Sequence, residues 1–168
     1  MIATLAAAAS DGDRVAVDGP DAAGKTTLAD AIASTLARDG RTCTRLTIDD
    51  FLRPAEARYR RGDLSPDGYY EDAFDLDAFT AAVEAATGIV VADGVFLQRP
   101  ELAHLWTLVV YVDCAAEVTL ERALVRDLER FGSRETVVER YAVRYLPAQE
   151  RYRRDVRPED RADVVLRS

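Results

Sequence analysis

The chain has 168 residues, enough for one domain with a full core, and its 48% apolar content is that of a globular protein. A formal net charge of −8 argues against a nucleic-acid-binding or anionic-membrane surface, and no apolar run reaches the roughly 18 residues that a membrane span needs. The two cysteines, Cys43 and Cys114, are too few for a disulfide framework or a zinc site. They read as buried thiols in a reducing compartment, so a cytoplasmic location is expected.

Met1 to Ala9 is mildly apolar but has no basic start, which predicts a short helix rather than a signal peptide. Arg14 to Ala33, RVAVDGPDAAGKTTLADAIA, carries the strongest local pattern in the chain. Val15, Ala16 and Val17 predict a buried strand, and Leu28, Ala31, Ile32 and Leu36 recur at helical spacing. Between them, Gly19-Pro20-Asp21-Ala22-Ala23-Gly24-Lys25-Thr26 fits G-x-x-x-x-G-K-[ST], with Thr27 following. A glycine turn between strand and helix aims backbone N–H groups and the positive helix end at one point, which suits a polyphosphate. In that reading Lys25 reaches the β- and γ-phosphates and Thr26 sits on Mg²⁺. Lys25 is also the only lysine in the chain.

The helix is expected to end at Asp39-Gly40. Thr42 to Ile48 predicts a second strand that delivers Asp49 and Asp50 at its carboxyl end. Phe51 to Tyr70 reads as an irregular, basic, Tyr-rich segment punctuated by Pro54, Gly62, Pro66 and Gly68; a long loop of that kind is usually functional. Asp75 to Ala86 predicts a helix, and Ile89 to Ala92 a third strand ending in Asp93-Gly94. Leu102 to Leu105 reads as a short helix, with His104 beside Trp106 in a packing role. Thr107 to Val112 predicts a fourth strand, closed by Asp113 as a cap for the next helix.

From Ala115 to Arg130, Leu120, Leu124 and Leu128 form one stripe, and Arg122, Arg126 and Arg130 another about 200° away. The arginine stripe reads equally as an exposed face of charge pairs or as a lid that sets guanidinium groups against a transferring phosphoryl. A further helix is expected from Glu135 to Leu146, stopped by Pro147. A loose basic segment and a fifth strand, Ala162 to Leu166, complete the chain.

Alternating strands and helices predict an α/β fold: a three-layer α/β/α P-loop NTPase arrangement with a five-stranded parallel sheet and a helical, Arg-bearing lid at roughly 120–150, all in one domain, 1–168. Ligands of such sheets bind at the carboxyl ends of the strands, where the glycine loop, Asp49 and Asp93 should meet. An aspartate closing a buried strand can hold Mg²⁺ beside Thr26, a role that falls to Asp93. Asp49, with Asp50 as its rival, could take a proton from a substrate hydroxyl while facing Mg²⁺.

The residues GPDAAGKTT at 19–27, IDDF at 48–51, YYEDAFD at 69–75, ADGVF at 92–96, RALVRD at 122–127 and ADVVL at 162–166 together resemble the uridine kinase-like branch of the P-loop kinases. The resemblance spans about Arg14 to Leu166. It implies ATP bound through Gly19, Asp21, Ala22, Ala23, Gly24, Lys25, Thr26 and Thr27, with Arg122 and Arg126 as lid arginines. It further implies Asp49 as catalytic base and Mg²⁺ neighbour, Asp93 as the second metal-linked carboxylate, and Asp72 as a contact to the substrate ribose. Only Thr87 and Gly88 separate helix from third strand, so the segment that grips the pyrimidine in uridine kinases has no counterpart. Tyr59, Arg61, Tyr69 and Tyr70 are the candidates to replace it. The expected activity is transfer of the γ-phosphoryl of ATP to a primary hydroxyl, of a nucleoside or of another small alcohol such as a sugar acid, pantothenate, a phosphosugar or an antibiotic. An ATP-binding regulator without an acceptor is the alternative from another class. A guanine switch is disfavoured, because an N-K-x-D motif is impossible without Asn and with one Lys.

Overall fold

The computed structural model describes all residues, 1–168. Five strands, β1 (Arg14–Asp18), β2 (Cys43–Thr47), β3 (Ile89–Gly94), β4 (Leu108–Asp113) and β5 (Val164–Arg167), form one sheet in the order β2-β3-β1-β4-β5. Every pairing is parallel. The largely apolar sequences of β1, β3 and β4 suit strands in the interior of a sheet covered on both faces, the edge strand β2 is more polar, and the alternation of side chains sorts the sheet into two cores. Val15, Val17, Ile89, Val91, Val110 and Val112 pack on α1 (Ile2–Ala8) and α2 (Lys25–Arg38) through Leu5, Ala6, Ala29, Ile32 and Leu36. Ala16, Val90 and Ala92 face α4 (Pro66–Asp72), α5 (Leu76–Ala85) and α9 (Leu146–Val156), with Phe79, Val83, Tyr152 and Val156 filling the space between.

Register sets the functional edge. Val17 pairs with Asp93 and Asp18 with Gly94, while Thr47 pairs with Asp93 from the other side. The end of β1, the end of β3 and the end of β2 therefore lie level, and Asp49 follows two residues beyond Thr47 in a 3₁₀ turn, Ile48–Phe51.

Several expectations need correction. Phe51 to Tyr70 is not irregular throughout, since it holds α3 (Ala55–Arg58) and the start of α4. Pro66, read as a breaker, sits at the first turn of α4, where its missing N–H costs nothing, and Ser65 caps the helix by accepting from the Gly68 amide at 3.0 Å. Pro147 likewise does not stop a helix. α8 (Arg134–Arg140) runs through a π turn (Tyr141–Tyr145) into α9, and the widened turn relieves the clash and missing donor that a proline imposes. The segment expected to be loose is thus a helix that buries Ala148, Gln149, Tyr152 and Val156. Asp113 caps nothing: α6 (Ala116–Arg126) starts from Ala115 without a side-chain cap, and Asp113 lies 3.6 Å from Arg153. His104 is exposed, and its neighbours Leu102 and Leu105 do the packing. The long arginine helix divides at Asp127 into α6 and α7 (Leu128–Phe131), and α10 (Pro158–Arg161) precedes β5.

Candidate active site

The loop between β1 and α2 is held open by backbone that only glycine tolerates well. Gly19 has φ 149°, and a Cβ there would lie 2.4 Å from the Val112 carbonyl oxygen; Gly24 has φ 91° and begins α2 with no side chain capping the helix. The first amides of α2 and its positive dipole end are left to an external anion. Lys25 is only 8% exposed, its Nζ donates to the Pro20 carbonyl at 2.6 Å, and no carboxylate lies within 4.0 Å. A buried ammonium with one carbonyl for company is a cation that lacks its counter-ion.

Across the loop, the Thr26 hydroxyl donates to Asp93 Oδ2 at 2.6 Å, and the other oxygen of Asp93 takes an ion pair from Arg45 at 2.7 Å. Arg45 also pairs with Asp30 at 2.9 Å and so bridges β2, β3 and α2. Asp49 stands at the cavity mouth, open to solvent on one side. Partial burial pushes its carboxyl above its ordinary value, Asp21 and Asp93 push the same way, and Lys25 and Arg126 oppose them. Asp49 and Asp50 are both exposed, but Asp49 lines the cavity and Asp50 does not. The Thr26 hydroxyl and the Asp93 carboxylate, with Asp49 on the same cavity, are oxygen donors of the kind a divalent cation takes. No three His, Cys, Asp or Glu side chains form a closed metal cage, so the ion would share its coordination with phosphate oxygens, as Mg²⁺ usually does.

These residues line one cavity of about 330 Å³ at the carboxyl edge of the sheet. Asp21, Lys25, Thr26, Asp49 and Asp93 form one side of it, and Arg126, Asp127, Arg130, Phe131, Tyr141, Arg144 and Tyr145, from the 126–145 segment, form the other. Arg126 grips Asp127 with two bonds of 2.7 and 3.0 Å, and the Tyr141 hydroxyl, 2.8 Å from Asp127 and 3.0 Å from Arg126, completes the triad. Burial alone would raise Asp127; the bonds from Arg126 and Tyr141 outweigh it and hold the carboxyl below its ordinary value. Asp21 is fixed by Tyr69 at 3.0 Å and Gln149 at 2.6 Å.

Of the arginine stripe, Arg126 and Arg130 face this cavity, while Arg122 does not. Arg122 lies behind the glycine loop, bonded to the Ser168 hydroxyl at 2.7 Å, in a second, more apolar cavity of about 490 Å³ that Ala22, Ala23, Gly24, Thr27, Leu28 and Leu166 help to form. Tyr59 and Tyr69 reach the main cavity; Arg61, Tyr70 and Asp72 do not. Tyr70 follows Tyr69 in α4, and the roughly 100° turn per residue sends it to the far side, where Arg99 and Arg151 stack on its ring at 4.6 and 4.5 Å. Asp72 is buried and takes Arg61 at 2.6 Å and Arg60 at 3.2 Å, an anchor between the 53–65 segment and α4. The hydrogen bond from Arg61 holds its carboxyl below the ordinary value.

The sequence reading missed Arg45, Tyr141, Arg144, Tyr145 and Gln149, and the support beneath them. Asp18, fully buried at the end of β1, accepts from the Gly19 and Leu97 amides, from Gln98 and, at 2.5 Å, from the Tyr152 hydroxyl. It ties the glycine loop to β3 and α9. The helical spacing of Gln149 and Tyr152 was visible, but the reading of Pro147 as a stop hid it.

No protein-family model matches the sequence, and no curated relative does. Solved structures are similar in fold. One is a possible uridine kinase from Bacillus stearothermophilus, with a TM-score of 0.76 and 23% identity over 98% of this chain and 95% of that one. Another, a "putative fructose transport system kinase" from Silicibacter sp. TM1040, has a TM-score of 0.76 and 17% identity over 98% of both chains. With its five-stranded parallel sheet flanked by helices, and a likeness to these structures over 98% of its length, the protein has the fold of the uridine kinase-like P-loop kinases.

Proposed function

We propose that the protein transfers the γ-phosphoryl group of ATP to a hydroxyl of a small molecule. One observation carries the reading: an unpaired buried lysine, a threonine hydroxyl 2.6 Å from a strand-end aspartate, a second aspartate with a raised pKa and a lid arginine all line one cavity of about 330 Å³. The two cavities flank the glycine loop, so the triphosphate would cross it. The donor base would rest beside Arg122 and Leu166, and the terminal phosphate would face Asp49.

In this scheme the acceptor oxygen forms a bond to the γ-phosphorus as the bond to the β–γ bridging oxygen breaks, and ADP leaves with that electron pair. Asp49 takes the hydroxyl proton; a carboxylate held above its usual pKa is a stronger base for that task. Lys25 and Arg126 offset charge on the phosphoryl oxygens, and closure of the lid excludes water that would otherwise compete as acceptor. Thr26 and Asp93, with Asp49, would hold Mg²⁺, which supplies charge neutralisation at the β- and γ-phosphates. The aromatic walls Tyr59, Tyr69, Phe131 and Tyr145 accommodate the ring of a nucleoside or a sugar.

The test is ADP release from Mg-ATP with a panel of nucleosides, sugars and hydroxy acids. At least one should raise turnover well above the rate without acceptor, and Lys25→Ala should abolish the gain. If no alcohol stimulates turnover although an ATP analogue binds, a regulatory binding protein is the better reading.

A further inference from the structure

The far wall of the main cavity carries positive charge that the protein itself does not neutralise. Arg144, on the π turn, is 3% exposed, yet no carboxylate lies within 4.0 Å of it. Its Nη1 donates to the carbonyls of Asp63 and Ser65, both at 3.1 Å, and its guanidinium lies 5.1 Å from the Tyr59 ring and 5.4 Å from the Tyr69 ring. Arg58 stands 5.2 Å from the same Tyr59 ring, its Nε is buried with no hydrogen-bond partner, and it too makes no ion pair. Arg130 joins them on the cavity wall, again without a carboxylate.

This is not a shortage of acids. The chain has 30 Asp and Glu against 22 Lys and Arg, and Arg99, equally buried at 3%, is paired with Glu101 at 2.9 Å. Of the four carboxylates that line the cavity, Asp21 is committed to Tyr69 and Gln149, Asp93 to Thr26 and Arg45, and Asp127 to Arg126 and Tyr141, while Asp49 makes no ion pair with any of these arginines. A buried guanidinium without a counter-ion is costly unless a ligand supplies one, and its planar fork matches carboxylate and phosphate oxygens.

We propose that the acceptor is itself an anion: a small alcohol bearing a carboxylate or phosphate, held by Arg144 and Arg58 with Arg130 while its hydroxyl faces Asp49. The inference rests on the kinase reading and narrows it, because it disfavours a neutral nucleoside. The phosphoryl transfer is unchanged; the second anionic group only binds.

Two measurements test it. In the first, protein saturated with Mg²⁺ and a non-hydrolysable ATP analogue is titrated with inorganic phosphate by calorimetry. Phosphate should bind, and Arg58→Gln, at a half-exposed position that should not compromise folding, should weaken it at least tenfold, with Arg58→Lys between the two. Absence of phosphate binding, or equal binding by Arg58→Gln, overturns the proposal while leaving the kinase reading intact. Failure of the analogue to bind overturns both. In the second, matched acceptors are compared by ADP release: glycerol with glycerate and glycerol 3-phosphate, and fructose with fructose 6-phosphate. An anionic member should exceed its neutral parent in kcat/KM by about 100-fold, the carboxylate and phosphate arms separating the two chemistries. Neutral parents or uridine turning over faster than every anion would refute the assignment.

Discussion

Tyr141→Phe isolates the contribution of one oxygen to the lid. The ring stays, so its edge-on packing against Tyr145, with centroids 5.0 Å apart, is retained. What is lost is a hydroxyl that donates to Asp127 at 2.8 Å and accepts from Arg126 at 3.0 Å. A hydrogen bond to a charged group contributes about 1.5–3 kcal/mol. The Arg126 end is half-exposed and screened by water, so it adds little, whereas Asp127 is 5% exposed and keeps two bonds from Arg126. The loss should therefore fall near the lower limit, about 1.5 kcal/mol, or roughly 3–6 °C in Tm for a domain of this size. Because Asp127 is held below its ordinary value in the folded chain, its stabilisation is present above the unfolded pKa and disappears as pH falls through the folded one. The difference between wild type and variant should thus be full at pH 7 and vanish in acid once Asp127 is protonated in both. Urea unfolding followed by the single tryptophan, Trp106, measures this directly. A change under 0.5 kcal/mol, or one independent of pH, would refute the triad as the element that holds the lid arginine.

Three further outcomes are expected. Asp49→Asn should lower kcat by about 10²- to 10⁴-fold, the usual contribution of a general base. It should also gain stability relative to wild type as pH rises, because the wild-type carboxyl is raised above 3.8 in the folded state and its ionisation there is unfavourable; paired kcat and melting curves check both. Asp72→Asn and Arg61→Ala should raise the KM for the acceptor to a similar extent with little change for ATP, since each loosens the segment that carries Arg58 and Tyr59. A much larger effect of Asp72→Asn alone would mark Asp72 as a substrate contact after all. Gly19→Ala should abolish binding of an ATP analogue by calorimetry, because the new Cβ would sit 2.4 Å from the Val112 carbonyl oxygen and the loop would have to move.

What could be read without coordinates was local. A strand, a glycine turn and a helix follow one another within Arg14–Arg38, and each is specified by residues a few positions apart, so Lys25 and Thr26 were legible at once. Strand identity was equally readable from short apolar runs, and strand-end aspartates followed from them. That Asp49 lines the cavity and Asp50 does not, and that Tyr69 does and Tyr70 does not, was not. Both depend on which way adjacent side chains turn once β2 passes into a 3₁₀ turn and α4 docks on the sheet. The far wall of the site was hidden for another reason. Pro147 and Pro66 look alike in sequence whether they end a helix or begin one, and only packing of α9 on α4 and the sheet decides it. The absence of counter-ions around Arg144 and Arg58 is likewise a property of three-dimensional neighbours: the chain has acids in excess, and tertiary structure alone placed them elsewhere.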